Sequence, residues 1–173
     1  GPFQKTTEGY TDERNAQFVV KQHVQAFAGG VDRYTWALGT PKPGGVWDSE
    51  PWTLMPLTPR PGGKPAPKPS YAAYRLMVEK LRGFTKVEDL SPPSEAPEDR
   101  RTVVVRFTKP TGSVIVLWSD AAASYDLELA ATSAVVTLVP TRKGDESKPE
   151  TRAVDGGRLR LALGPAPLFV EPR

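Results

Sequence analysis

Few residues in this 173-residue chain are equipped for chemistry. There is no cysteine, which removes a thiolate nucleophile, a thiolate metal site and any disulfide framework. The single histidine, His23, cannot by itself make a His-based metal site. Neither a metal nor a cofactor is expected. What is left is a set of carboxylates and aromatic rings, and three stretches place them suggestively: Thr7-Glu8-Gly9-Tyr10, Arg33-Tyr34-Thr35-Trp36, and Pro67-Lys68-Pro69-Ser70-Tyr71-Ala72-Ala73-Tyr74. Glu8 closes the run Phe3 to Glu8, which reads as a short strand. Taken alone, a Glu beside a Gly is more often a solvated surface residue. The weight therefore falls on the elements that would hold these stretches in order.

The first of those elements is a helix. Thr11 can cap it, with Asp12 and Glu13 in the first turn where carboxylates favour the helix dipole. Ala16, Val20, His23 or Val24, and Phe27 recur at helical spacing as an apolar face, Arg14, Gln17, Lys21 and Gln25 take the other side, and Gly29-Gly30 stops the helix. Val31 to Leu38 then reads as a strand rich in aromatic and β-branched residues, closed by Gly39. From Thr40 to Pro69 proline and glycine are too dense for a regular element, yet Trp47 and Trp52 fall in this stretch. Two tryptophans are unusual in a disordered linker, and the stretch reads as a packed functional loop. Pro69-Ser70 opens a second helix, with Tyr71, Tyr74, Met77 or Val78, and Leu81 on one face and Gly83 as its stop.

After Gly83 the texture changes. Beyond a polar insert at Ser91 to Arg101, short apolar or alternating runs follow closely: Thr102 to Thr108, Ser113 to Ser119, Tyr125 to Leu129, Ala134 to Val139, Arg158 to Leu163 and Leu168 to Glu171. Turn residues such as Pro110-Thr111-Gly112 and Asp155-Gly156-Gly157 separate them. This pattern predicts an antiparallel β-sandwich over 84–173, preceded by a strand-helix, strand-loop-helix unit over 1–83.

In the order of its three stretches, joined by Trp118-Ser119-Asp120 at a later strand end, the chain resembles the C-terminal portion of the clan A retaining glycoside hydrolases, in particular the xylosidase-like families that append a β-sandwich to a (β/α)8 barrel. The resemblance implies a fold class of α/β plus all-β, with the last two strand-helix units of a barrel followed by the sandwich. It matches Glu8 to the catalytic nucleophile and Trp36 to the aromatic that floors the sugar site, with Trp47 and Trp52 as loop contacts to sugar rings and Tyr10 grouped with them as a substrate contact. These positions agree with barrel enzymes in general, whose active groups gather at the C-terminal ends of the strands. Retaining hydrolysis uses two carboxyl groups about 5–5.5 Å apart, one attacking the anomeric carbon and the other protonating the leaving oxygen and then activating water. The family's acid/base Glu belongs to the fourth strand, which this chain lacks. The pattern also departs from the family in the adjacency of Glu8 and Gly9, often separated by one residue there, and in Gln4 and Lys5, polar for an inner barrel strand.

The resemblance thus implies a fragment of a hydrolase of β-linked glycosides or polysaccharides, inactive alone, whose partners are the carbohydrate substrate and the missing N-terminal barrel portion. The alternatives are a non-catalytic carbohydrate-binding or structural β-sandwich module, and a degenerate relative kept for assembly. The 23 basic and 20 acidic residues are scattered along the chain, leaving a net charge of +3 without a basic block, so no nucleic-acid partner is expected. No apolar run approaches the roughly 20 residues that span a bilayer, so no membrane partner is expected, and Gly1 to Tyr10 is too polar for a signal peptide. The location stays unassigned, a secreted or periplasmic parent being compatible with the sequence.

Overall fold

The computed structural model describes residues 11–35, 68–93 and 102–173. Within them lie two helices, α1 (Asp12–Ala28) and α2 (Pro69–Leu81), followed by eight strands: β1 (Lys86–Asp89), β2 (Thr102–Lys109), β3 (Gly112–Ser119), β4 (Ala123–Glu128), β5 (Ser133–Leu138), β6 (Pro149–Ala153), β7 (Arg158–Leu163) and β8 (Leu168–Pro172). The chain is a mixed α/β protein whose sheet is antiparallel at every pairing. Six strands form one sheet in the order β1-β2-β3-β8-β5-β6, while β4 and β7 pair as a separate ribbon.

Both helices begin and end where local chemistry dictates. The Thr11 hydroxyl accepts from the Arg14 amide at 3.1 Å, satisfying one of the donors that the first helical turn leaves unpaired. At the far end the Gly29 amide donates to Gln25 O at 2.9 Å, and Gly30 follows at φ +86°, a left-handed conformation that costs a residue with a Cβ. Helix α2 starts with Pro69 in its first turn, where the missing N–H is no loss, and ends before Gly83, also left-handed at φ +80°.

The central sheet is covered on both faces. Val105, Phe107, Val114, Val116, Trp118 and Phe169 point to one side, where they cluster with Val19, Val20 and Val24 of α1 and Ala73, Met77 and Leu81 of α2. The intervening residues Val104, Ile115, Leu117 and Val170 point to the other side and meet Leu127, Leu159, Leu161 and Leu163 of the ribbon. Strand period 2 sends neighbouring residues to opposite layers, so a strand covered twice reads as an unbroken apolar run, as Val114 to Trp118 does. The ribbon is covered once and alternates instead: Leu159, Leu161 and Leu163 are buried while Arg158, Arg160 and Ala162 are exposed. One apolar cluster therefore joins the helices to the sheet across the change of texture at Gly83.

Four readings from sequence need correction. Residues 31–35 form no strand, because no described strand lies beside them to complete a ladder, and residues 36–38 lie outside the described residues. The edge strands β1 and β6 went unread. Lys-Val-Glu-Asp and Pro-Glu-Thr-Arg-Ala carry charge and proline, devices that blunt exposed sheet edges and also erase the apolar signal of a strand. Tyr71, assigned to the apolar stripe of α2, is 38% exposed, since the buried face runs through Ala73, Leu76, Met77 and Leu81. Lys21, assigned to the solvent side of α1, is largely covered and faces β3.

Candidate functional site

Glu8, Tyr10, Trp36, Trp47 and Trp52 all lie outside the described residues, as does the run Phe3 to Glu8. What the structure gives is the frame that flanks them in sequence: α1, which begins at Asp12, the residues 31–35 that lead to Trp36, and α2 behind its Pro-Lys-Pro entry.

An aromatic group on the two helices forms the centre of that frame. The His23 ring meets Tyr34 edge-on with centroids 4.6 Å apart and an interplanar angle of 77°, and meets Tyr74 of α2 at 5.4 Å and 62°. Such tilted contacts set the positive ring edge against a negative face. The Tyr34 hydroxyl also reaches Gln22 Oε1 at 3.4 Å. One helical turn along, Phe27 packs on Phe84 at 5.2 Å, and Phe84 on Phe107 at the same separation, carrying the aromatic contacts into the sheet. Tyr34 thus leans on α1, at a position two residues before Trp36 in sequence.

His23 is buried, and its Nδ1–H donates to Val19 O at 2.6 Å. Burial lowers its pKa below the usual 6.5 and the Val19 bond opposes this more weakly, so the imidazole is neutral at physiological pH. A ring enclosed by Tyr34, Tyr74 and Phe27 serves the packing of α1 on α2. The carboxylates with displaced pKa values move the wrong way for an acid catalyst: Glu88 is held down by a hydrogen bond from Lys86, Asp126 by Arg160 and Glu150 by Arg152. A general acid needs a raised value. What the described frame supplies is the packing of α1, α2 and residues 31–35 around the His23 ring.

Where α1 meets the end of β3, Lys21 Nζ lies 2.6 Å from Asp120 Oδ1 and 5.6 Å from the centroid of the buried Trp118 ring. On the far side of α2 an open cleft of about 390 Å³ separates the helix from the β5–β6 connection. Tyr71, Arg75 and Glu79, one turn apart on α2, form one wall, and Thr137, Pro140, Asp145, Ser147 and Pro149 contribute to the other. Thr137 is 1% exposed and its hydroxyl has no hydrogen-bond partner among the described residues. Leaving a buried hydroxyl unpaired costs about 1–3 kcal/mol. Sequence reasoning had missed this cleft. The i, i+4, i+8 spacing of Tyr71, Arg75 and Glu79 was visible, but nothing in the sequence sets Thr137 opposite them.

No protein-family model matches the chain, and no curated protein matches it. Solved structures do. The chain superposes on a GH30 endoxylanase from Clostridium papyrosolvens C71 with a TM-score of 0.61 at 16% identity, over 95% of this chain and 40% of that one. It superposes on a family 39 glycoside hydrolase from the gut symbiont Bacteroides cellulosilyticus WH2 with a TM-score of 0.61 at 17% identity, over 94% of this chain and 31% of that one. At such identities the likeness is one of fold. Nearly all of this chain has the arrangement of part of two glycoside hydrolases, spanning less than half the length of either, as the resemblance to a C-terminal portion of a clan A enzyme anticipated.

Proposed function

We propose that the chain is the C-terminal part of a retaining glycoside hydrolase that acts on a β-linked glycoside or polysaccharide. In this reading residues 1–83 complete a (β/α)8 barrel with its last two strand-helix units, and residues 84–173 are the accessory β-sandwich. Glu8 attacks the anomeric carbon, Trp36 stacks beneath the sugar ring, and Tyr10, Trp47 and Trp52 contact neighbouring sugar units. The observation that carries the reading is the match of about 95% of this chain to only 40% of a GH30 endoxylanase. The arrangement of the motifs in sequence supports it independently.

The chemistry sets the requirement for a partner. A retaining mechanism needs a second carboxyl group opposite the nucleophile, first protonated and then basic. A complete barrel takes about 250 residues, more than the first 83 supply. The acid/base residue therefore belongs to the rest of the barrel, and this chain alone should not turn over substrate. Restored to that barrel it should hydrolyse with retention, and a 2-deoxy-2-fluoro glycoside should leave its sugar on the peptide containing Glu8, detected by mass spectrometry. Glu8→Gln should abolish both labelling and turnover. A label on another carboxylate removes Glu8 from the role, and an upstream coding sequence without barrel units overturns the reading.

A further inference from the structure

The geometry points to the cleft between α2 and the β5–β6 connection as a binding subsite for a neutral saccharide chain, with Tyr71 as its stacking platform and Arg75, Glu79 and Thr137 as its polar contacts. This assignment rests on the lining of the cleft and does not depend on Glu8 being a nucleophile.

At about 390 Å³ the cleft falls within the roughly 300–1,000 Å³ of small-molecule sites, and it opens to solvent.

Tyr71 is 38% exposed on a helix whose other large apolar residues are mostly buried, and with the exposed Pro149 it offers flat apolar surface to the C–H faces of a sugar ring. Between these surfaces run groups that donate and groups that accept. Arg75 and Glu79 face the cleft without an ion-pair partner among the described residues, although their spacing would let them pair with each other. Arg75 offers a fork of donors and Glu79 two acceptor oxygens, a combination suited to neighbouring hydroxyls.

Arg75 and Glu79 cancel in charge, and the remaining cation in the lining, Lys80, is ion-paired with Glu171. Asp145 already accepts the Thr141 and Arg142 amides at 3.2 and 2.9 Å. A charged ligand gains little from this balance, whereas a polyhydroxylated neutral one uses both signs. Thr137 adds an independent pointer. Its side chain rises on the α2 face of the sheet, because Val136 and Ala134 turn to the ribbon, the residue lines the cleft, and its buried hydroxyl has no partner among the described residues. A bound sugar hydroxyl, direct or through a water, would satisfy it.

The test is an NMR titration of the ¹⁵N-labelled 173-residue chain with xylohexaose and cellohexaose as neutral probes and tri-galacturonate as an acidic one. The amides of Tyr71, Arg75, Glu79 and Ser147 should shift with a neutral hexaose. Tyr71→Ala and Arg75→Ala, both at exposed positions and checked by circular dichroism, should each weaken binding roughly fivefold, the first by loss of a stacking contact and the second by loss of hydrogen bonds to sugar hydroxyls. Lys86→Ala, on the edge strand β1, should leave these shifts unchanged. Absence of shifts at these four amides with either hexaose overturns the assignment, as does undiminished binding in both cleft variants. Tighter binding of tri-galacturonate would replace the neutral ligand with an anion and overturn it as well. None of these outcomes bears on labelling of Glu8.

Discussion

Lys21 of α1 and Asp120 at the end of β3, 99 residues apart in the chain, meet at 2.6 Å above the face of Trp118. The two side chains are 16% and 29% exposed, which puts the pair between the surface and the interior, where a charge-assisted hydrogen bond is worth more than an exposed ion pair. The ammonium also lies within cation–π reach of the indole. The contact ties the helical layer to the sheet at a point where the apolar cluster gives way to solvent.

Lys21→Met, which keeps the packing stem, and Asp120→Asn should each destabilise the chain by about 1 kcal/mol, with a coupling energy of about 0.5–1.5 kcal/mol in the double-mutant cycle. Urea denaturation of the four proteins measures it. High salt should shrink the coupling only partly because the pair is half-buried. Additive losses would mean that the two residues act separately.

His23 gives the fold a pH dependence whose sign follows from burial. Its folded pKa is lowered from 6.5, so the stability it contributes is fully present above the unfolded value and is lost as pH falls through about 6.5 toward the folded one, where the unfolded chain binds a proton and the folded chain does not. Glu88, Asp126 and Glu150 also have lowered values, but their contributions disappear only below the ordinary carboxylate values of 4.5 and 3.8. Between about pH 7.5 and 5.5 the urea midpoint should therefore fall in the parent chain and stay nearly level in His23→Gln. An equal fall in both proteins would take His23 out of the account.

The fold was legible where one periodicity ruled. Thr11, Gly29 and Gly83 marked helix ends because capping is local chemistry, and Arg158 to Leu163 showed its strand because a once-covered ribbon must alternate. Reading failed where tertiary contact decides. Lys21 and Gln25 look alike on the polar side of α1, and only the distant Asp120 draws one of them inward. Pro149 to Ala153 has no apolar signal, since its stabilisation comes from the backbone of β5 on one side. The motif order of Glu8 before Trp36 before the Pro-Lys-Pro-Ser entry to α2 is a reading of sequence alone, since Glu8 and Trp36 lie outside the described residues. The cleft was not legible at all, because Thr137 and Tyr71 are brought together by sheet order rather than by spacing.

Thr137 is where the cleft and the stability of the fold pull in opposite directions. Its hydroxyl is buried without a partner among the described residues, while its backbone sits at the penultimate position of β5, paired with Phe169 on one side and Pro149 on the other. Thr137→Val removes the hydroxyl, nearly preserves the shape and keeps a β-branched side chain suited to a strand. Apolar replacement of an unsatisfied buried group of this kind should stabilise the free chain by about 1 kcal/mol, seen as a higher urea midpoint at unchanged slope. The same substitution should weaken the neutral hexaose in the cleft, because the hydroxyl that is idle in the free chain is the one the ligand satisfies. A variant that is more stable yet binds as well would mark Thr137 as a plain packing defect. One that is more stable and binds worse would identify an unpaired group kept for its ligand, with the destabilisation of the free chain relieved only on binding.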